Sequence, residues 1–501
     1  MRYTLFENSN FGNSQDQRVK KMQKNYIAGE WIGSDHGILN INPSDTSDVI
    51  GEFSQANLRD LARAIESARR AQPLWAEKGH EHRQSALRTI GDELIARATE
   101  LGDILSREEG KTRAEGRGEV HRAGQFFNYY AAETLRQLGE NADSVRVGIE
   151  IDIRREPVGV VAVISPWNFP IATASWKIAP ALAFGNAIVW KPANLTLGIA
   201  VALAEIVSRA GLPDGTFNLV MGDGKLIGHA LASSPMIDAI TFTGSAAVGC
   251  RVAATAVVNL VKVQLEMGSK NALVVMDDAN LDLAVEHAVN GAFGGTGQKC
   301  TASSRLVVHA PVYDAFVEKL ITRTKTLRVG HAFDPNTQIG PVVSFDQLNS
   351  NLAYIDIGLA EGAELACGGT VLEQNTIGHF MAPALFLNTH NKMKINRDEI
   401  FGPIASLIKI GSFDEALEIV NDTPFGLVSS IMTTSLSRST HFRRKARTGC
   451  VMINLPTAGT DYHVPFGGRG QSSYGSREQG RYAVEFYTTV KTSYISSGIP
   501  N

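Results

Sequence analysis

The stretch Val158–Pro170 (VGVVAVISPWNFP) places a short apolar run directly before a loop of polar, aromatic and proline residues. Apolar residues and one glycine make up residues 158–164, which is typical of a strand buried on both faces. Similar apolar runs follow, separated by helical patterns, at residues 187–190, 216–220, 239–242 and 261–265. This alternation predicts a βαβ series, and hence a parallel sheet with helices on both faces.

The loops after these runs carry much of the polar chemistry. Ligands of a parallel sheet bind outside the carboxyl ends of its strands, so we expect the loops to converge on one rim. They contain an amide at Asn168, an amine at Lys191, a Gly244–Ser245 pair and a carboxylate at Glu266. A glycine and serine before a helix offer backbone N–H groups to a phosphate. The G-x-G-x-x-G fingerprint is absent, so this signal alone is weak.

Residues 294–304 (GGTGQKCTASS) surround one cysteine with glycines and small hydroxyl residues. Cys300 is therefore a candidate nucleophile, because a thiol is the most nucleophilic side chain near neutral pH. The adjacent cation of Lys299 is expected to raise its thiolate fraction. The alternative is a small buried apolar residue in a glycine-rich turn.

Composition excludes several classes of function. The 501 residues are 44% hydrophobic and 20% charged, which predicts a globular chain of two or three domains. A net charge of -3 without a long basic run argues against a nucleic-acid or membrane partner. The four cysteines form no C-x-x-C pair and no H-E-x-x-H occurs, so we expect neither disulfides nor a metal site. With no apolar leader or membrane-length apolar span, a cytoplasmic protein is predicted.

Segments outside the sheet predict helices and two exposed strands. Helical periodicity covers residues 57–71, where Pro73 is expected to end the helix, and residues 81–109 and 118–138. Polar and apolar residues alternate at 146–154 and 484–495, which predicts edge strands that join subunits of a homodimer or homotetramer.

Six motifs, in order, resemble those of the aldehyde dehydrogenase superfamily over residues 25–495. They are Pro166–Pro170, Trp190–Pro192, Phe242–Ser245, Leu265–Lys270, Gly297–Cys300 and Glu399–Pro403. The resemblance implies an α/β fold with a Rossmann-type cofactor domain, an α/β catalytic domain and a small β oligomerisation domain. The expected boundaries are a flexible arm at 1–24, a cofactor domain at 25–140 and 159–268, oligomerisation strands at 141–158 and 484–501, and a catalytic domain at 269–483.

The resemblance also implies NAD(P)+-dependent oxidation of an aldehyde to a carboxylic acid. Cys300 matches the nucleophile that forms a thiohemiacetal and then a thioester, Asn168 the oxyanion donor, and Glu266 the base that hydrolyses the thioester. Lys191 matches a ligand of the adenosine ribose, Ser245 of the pyrophosphate, and Glu399 of the nicotinamide ribose. The full set expected at the cofactor is Ser165, Trp167, Lys191, Ala193, Asn194, Gly224, Gly244, Ser245, Val248, Met267, Gly268, Glu399 and Phe401.

Two positions depart from common patterns of the superfamily. Asn194 stands where strongly NAD-preferring relatives commonly carry a glutamate that repels a 2′-phosphate, so either NAD or NADP is expected, with NADP accepted. Trp176 stands where succinate-semialdehyde dehydrogenases usually carry an arginine.

Flanking segments look most like those of α-ketoglutaric semialdehyde (2,5-dioxovalerate) dehydrogenases. Lys299 and Thr457 are candidate contacts to an oxo-acid, although a solvated or structural role explains each equally well. The alternatives are another semialdehyde, betaine aldehyde or an aliphatic aldehyde as substrate, or a non-catalytic nucleotide-binding relative.

Overall fold

A computed structural model describes residues 22–136, 139–496 and 498, so most of the arm predicted at 1–24 lies outside the described residues. The strands are β1 Asn25–Ile27, β2 Glu30–Ile32, β3 Gly37–Ile41, β4 Val49–Ser54, β5 Glu140–Asp143, β6 Ile149–Pro157, β7 Val160–Ile164, β8 Ala187–Lys191, β9 Phe217–Leu219, β10 Ala239–Thr243, β11 Lys262–Glu266, β12 Asn271–Val275, β13 Ser303–His309, β14 Glu364–Cys367, β15 Ala384–Thr389, β16 Ile404–Ile410, β17 Val428–Met432, β18 Cys450–Ile453, β19 Ser473–Tyr474 and β20 Thr488–Ser496. The helices are α1 Leu58–Glu77, α2 His80–Ala96, α3 Ala98–Glu109, α4 Arg113–Glu133, α5 Pro170–Ala183, α6 Leu197–Ser208, α7 Gly224–Ser233, α8 Ala246–Ala256, α9 Leu281–Phe293, α10 Ala310–Lys325, α11 Phe345–Ala360, α12 Lys394–Arg397, α13 Phe413–Asn421, α14 Leu436–Lys445 and α15 Val484–Tyr487.

The predicted parallel sheet is present. Strands β11, β10, β7, β8 and β9 lie side by side and parallel, within the order β19-β11-β10-β7-β8-β9-β1-β2. Ile164 pairs with Lys191 and Thr243 pairs with Glu266, so neighbouring strands end at the same level. Their following loops therefore meet at one rim, as expected for a doubly wound sheet.

A second sheet carries the Cys300 region. Its order is β14-β15-β16-β13-β12-β17-β18, and every neighbouring pair except β14 with β15 is parallel. Helix α9 packs on β13, and its buried residues join a core with Leu273, Leu306 and Phe316. Cys300 lies between α9 and β13, so its position is set by a packed helix and a central strand.

The third sheet corrects the prediction for the two exposed strands. Its order is β20-β6-β5, so β6 is a central strand, not the edge expected at residues 146–154, because β5 pairs with its second side. Residues 484–487 form α15 instead of extending β20, since Phe486 and Tyr487 are buried in the main core. The domain boundaries and the subunit contacts stay predictions.

Two helix boundaries also differ from the prediction. Pro73 lies inside α1, which continues because Trp75 is fully buried and its indole N–H donates to the Leu182 carbonyl. The helix expected over 81–109 divides at Arg97, whose backbone leaves the helical region and whose guanidinium binds Glu93 and Glu100. Tertiary contacts overrode the local signals in both cases.

Candidate active site

The Cys300 loop is held in a tight conformation by its backbone. Gly297 has a φ of +67°, and a Cβ there would lie 2.2 Å from the carbonyl oxygen of Gly402, so only glycine fits. The amide of Asn271 donates to the carbonyl oxygens of Cys300 at 2.7 Å and Ala302 at 3.0 Å. The backbone of the half-buried cysteine is therefore anchored at its own carbonyl and two residues later, and sequence reasoning missed the role of Asn271.

Two cavities meet at Cys300. One, of about 290 Å³, opens toward the sheet rim and is called the rim cavity below. The other, of about 470 Å³, lies between α4, α5 and the segment from Pro456 to Thr460, and is called the helix cavity. Their shared walls are Phe169, Trp176, Cys300 and Phe466. A molecule in either cavity can thus contact the residues that surround the sulfur.

Burial opposes the thiolate that Lys299 was expected to promote. Burial, followed by the nearby carboxylates of Glu399 and Glu266, raises the pKa of the Cys300 thiol. The ammonium of Lys299 donates to the Asn290 carbonyl at 3.0 Å, and burial lowers its own pKa to about 8. Burial therefore favours the neutral thiol of Cys300 over its thiolate.

Glu266 ends β11 with a buried carboxylate in the rim cavity. Burial raises its pKa well above the usual glutamate value, and the neighbouring carboxylate of Glu478 raises it further. Its Oε2 accepts a hydrogen bond of 2.6 Å from Ser473 Oγ, which fixes one oxygen. A carboxylate with a raised pKa beside a thiol is suited to accepting a proton near neutral pH.

A buried ion pair behind Glu266 was not predicted. The Lys177 ammonium on α5 pairs with the Glu478 carboxylate and donates to Thr241 Oγ1 at 2.8 Å. Both charged side chains are almost fully buried, and burial lowers the pKa of Lys177 and raises that of Glu478. The available signal was a single charged residue in the otherwise uncharged helix PIATASWKIAPALA. Its partner lies 301 positions away, beyond any local pattern.

Asn168 also lies in the rim cavity, and its amide faces the cysteine loop. Its side-chain Nδ2 donates to the Gln298 carbonyl at 2.9 Å, and its backbone carbonyl accepts from Lys111 Nζ at 2.7 Å. An amide has two N–H donors, and among the described residues no partner takes the second one. That donor is available to an oxygen bound beside Cys300.

Most of the expected cofactor residues also line the rim cavity. These are Trp167, Gly244, Ser245, Met267, Gly268, Glu399 and Phe401. A Cβ at Gly268 would lie 1.8 Å from Glu399 Oε2, so glycine allows that carboxylate to reach the cavity. Burial raises the pKa of Glu399 to about 7, and its Oε1 accepts from the Ser269 N–H at 2.9 Å. The rings of Trp167 and Phe401 meet edge to face at 5.3 Å.

The remaining expected residues lie along the sheet rim, outside the walls of both cavities. Lys191 ends β8, and its Nζ lies near Gly224, where an added Cβ would be 3.9 Å away. Burial lowers the pKa of Lys191 to about 8. Ser165 follows β7, but its hydroxyl already accepts from Trp190 at 2.9 Å. Ala193 and Asn194 follow β8, and Val248 lies in the first turn of α8.

Three features of the rim fit an elongated dinucleotide. Asn194 Oδ1 is buried and has no hydrogen-bond partner in the described part of the chain. Ser245 precedes α8, and no side chain of the described residues caps that helix start, so its N–H groups suit a phosphate. The rim cavity then continues to Cys300. The described ranges hold no group of three or more His, Cys, Asp or Glu that could bind a metal ion.

A thiol lies at the junction of two cavities, one of which runs along the carboxyl ends of a parallel sheet. This is the arrangement expected of a nucleotide-dependent thiol enzyme. The model of the Aldehyde dehydrogenase family matches residues 31–493, and the chain belongs to that family. It is therefore an oxidoreductase that acts on aldehydes, and NAD(P)+ dependence is general in the family. The family predicted from the six motifs is confirmed.

Individual relatives extend this comparison. The chain is 42% identical over 478 residues to the α-ketoglutaric semialdehyde dehydrogenase of Bacillus subtilis strain 168, covering 94% of this chain and 97% of the relative. It is 41% identical over 478 residues to the α-ketoglutarate semialdehyde dehydrogenase of Haloferax volcanii, covering 94% and 99%. The crystal structure of betaine aldehyde dehydrogenase from Staphylococcus aureus in complex with NAD+ superposes with a TM-score of 0.93 at 33% identity, covering 96% and 97%. The predicted fold class is confirmed.

Proposed function

We propose that this protein oxidises α-ketoglutaric semialdehyde to 2-oxoglutarate with NAD(P)+. The observation that carries the choice of substrate is 42% identity, over 94% of the chain, to a relative named for that aldehyde. The geometry supports the reaction type, because a thiol, an amide donor and a high-pKa carboxylate face one cavity.

The first step uses Cys300 and Asn168. The Cys300 thiol gives up its proton to water in the cavity and the sulfur adds to the aldehyde carbon. The free amide N–H of Asn168 donates to the oxygen on which negative charge develops. When bound, NAD(P)+ supplies the acceptor for the hydride that leaves this carbon. Trp167 and Phe401 form an aromatic wall in the rim cavity, and Glu399 supplies a carboxylate to a ribose hydroxyl.

The second step uses Glu266. A thioester on Cys300 is hydrolysed by water, and the Glu266 carboxylate accepts the proton of that water. Its hydrogen bond to Ser473 leaves Oε1 free to face the cavity, and a Cβ at Gly467 would lie 2.6 Å from that atom. Gly467 thus allows the carboxylate to lie close to the backbone, where a larger residue would collide with it.

The cofactor proposal includes acceptance of NADP+. Asn194 brings no negative charge to the rim, and the buried Lys191 ammonium lies on the same side. A 2′-phosphate therefore meets a cation and an amide, without the repulsion that a glutamate would cause.

Assembly and location complete the proposal. We expect a cytoplasmic homodimer or homotetramer with no nucleic-acid or membrane partner. The four cysteines are free thiols, and no helix in the described ranges is long and apolar enough to cross a membrane. On β20, Val490 and Tyr494 remain exposed beside an unpaired strand edge. Light scattering should give a mass above the 54.1 kDa of one chain, and a monomer would contradict the assembly proposed.

The decisive measurement is NAD(P)H formation with a panel of aldehydes and both cofactors. We expect kcat/KM for α-ketoglutaric semialdehyde to exceed that for pentanal and betaine aldehyde by at least about 100-fold, or about 2.7 kcal/mol. Betaine aldehyde is the second candidate, because the superposed Staphylococcus aureus enzyme is named for it. A lead for betaine aldehyde, or equal rates across the panel, would contradict the substrate proposed.

A further inference from the structure

One face of α4 forms a wall of the helix cavity. Glu115, Gly118, Glu119, Arg122 and Phe126 line it at spacings of three and four, which places them on a single side of the helix. The charged residues of the whole cavity are Lys111, Glu115, Glu119, Arg122 and Lys299. Whether an anionic or cationic substrate fits depends on which of these charges are already paired.

Both carboxylates are committed to the fold. Glu119 binds the Lys111 ammonium at 2.6 Å and accepts from the backbone N–H groups of Ile171 and Ala172 at the start of α5. Glu115 accepts from the N–H and hydroxyl of Thr112, and from the N–H of Gly295, each at 2.9 Å. Glu119 is neutralised by Lys111, and the charge of Glu115 acts on Lys299, where it opposes the lowering of the pKa by burial. Neither carboxylate is paired with Arg122.

Two cations of this cavity form no ion pair with a described residue. The Arg122 guanidinium lies over the Tyr462 ring at 5.3 Å and, within the described part of the chain, forms no ion pair or hydrogen bond. Lys299 has one hydrogen bond, to the Asn290 carbonyl, and no ion pair with a described residue. The helix cavity therefore carries an uncompensated positive charge on the side where Arg122 lies.

We propose that Arg122 binds the carboxylate at the far end of a semialdehyde substrate, which makes it a specificity-determining residue. The inference rests on the proposed function and specifies how that site selects its substrate. A guanidinium binds a carboxylate through two parallel N–H···O bonds. Stacking on Tyr462 fixes the orientation of the guanidinium plane. Lys299 adds positive charge nearer the cysteine.

The apolar walls suit the rest of such a molecule. Phe126 and Trp176 meet edge to face at 5.8 Å, and Trp176 packs against Phe466 at 5.7 Å. These rings can cover a short methylene chain between an aldehyde at Cys300 and a carboxylate at Arg122. The cation that binds the substrate carboxylate thus comes from α4. The α5 position that usually carries arginine in succinate-semialdehyde dehydrogenases holds Trp176 here. The same cation disfavours a trimethylammonium aldehyde.

The test compares Arg122→Gln and Arg122→Lys with Arg117→Gln, a matched control at an exposed position of the same helix. Each variant is assayed with α-ketoglutaric semialdehyde and with uncharged pentanal. We expect Arg122→Gln to lower kcat/KM for the semialdehyde about 30-fold, mainly through KM, and to change that for pentanal less than about 3-fold. Arg122→Lys should recover part of the loss, and Arg117→Gln should match the wild type.

The outcomes separate the two proposals. If the wild type does not prefer the semialdehyde to pentanal, the proposed function fails. If the wild type does prefer it and Arg122→Gln keeps the same ratio, the assignment of Arg122 is overturned. Inhibition of the wild type by glutarate, a dicarboxylate without an aldehyde, gives a second measurement. Its inhibition constant should rise about 10-fold in Arg122→Gln, and an unchanged constant there would also overturn the assignment.

Discussion

The rim cavity and the helix cavity share Cys300, but their walls have different origins. Much of the rim cavity is built from the loops that directly follow β7, β10 and β11, and residues from α5, α11, the turn at 399–401 and Phe466 complete it. The helix cavity is built from one face of α4, part of α5 and a distant segment at 456–460. We therefore assign the proposed redox chemistry to the sheet rim, and the proposed choice of substrate to the wall formed by α4.

Cys300→Ser tests whether the junction serves both cavities. We expect kcat to fall at least about 1,000-fold, or about 4 kcal/mol, because a hydroxyl is a far weaker nucleophile than a thiol. Binding of NADPH, followed by fluorescence, should be unchanged. Cys450→Ser is the control, since Cys450 packs against the same apolar cluster without lining either cavity. A Cys300→Ser enzyme with full activity would remove the basis of the comparison.

Glu266→Gln separates the two chemical steps. We expect steady-state kcat to fall about 100-fold because the base for hydrolysis is lost, while a burst of one NAD(P)H per active site remains. Rapid-mixing absorbance measures both quantities. The absence of a burst, with an equally slow first turnover, would assign Glu266 to the first step instead.

The pH dependence follows from the same carboxylate. The pKa of Glu266 is raised by burial, and the base acts only when deprotonated. The kcat of the wild type should therefore fall as pH decreases, and the fall should begin above the ordinary glutamate range near 4.5. In Glu266→Gln this acidic limb should disappear, and a limb that persists unchanged would belong to another group.

The two cavities also differ in how far the sequence predicts them. Asn168, Glu266 and Cys300 could be predicted as site residues because each follows a buried strand or interrupts a glycine-rich loop, and the family resemblance supplied their expected roles. The pairing of Lys177 with Glu478 spans 301 positions, and the availability of Arg122 depends on how Glu115 and Glu119 are paired. Such facts arise from packing between distant elements, so periodicity and motifs cannot supply them. Pro73 shows the same limit for secondary structure.

Asn194→Glu should change which cofactor binds along the sheet rim, without affecting the substrate preference of the helix cavity. A carboxylate at this position repels a 2′-phosphate, so kcat/KM for NADP+ should fall about 30-fold, or about 2 kcal/mol, while that for NAD+ holds or rises. The ratio of kcat/KM between semialdehyde and pentanal, measured with NAD+, should stay constant. A wild type that already prefers NAD+ more than about 100-fold would contradict the premise.

Thr457→Val gives the smallest expected effect on catalysis and tests whether every polar group near the helix cavity selects substrate. Thr457 is fully buried; its hydroxyl pairs with Ser303 Oγ at 2.6 Å and donates to the Thr301 carbonyl at 2.6 Å. We therefore assign it a structural role rather than contact with an oxo-acid. Its removal should lower the free energy of unfolding by about 1–3 kcal/mol, because Ser303 and the Thr301 carbonyl lose a buried partner. Denaturant unfolding measures that loss.

The preference for semialdehyde over pentanal should change less than about 3-fold in Thr457→Val, because valine keeps the shape of the side chain and Arg122 keeps its charge. A larger change in preference would place Thr457 among the residues that select the substrate and weaken the division between the two cavities.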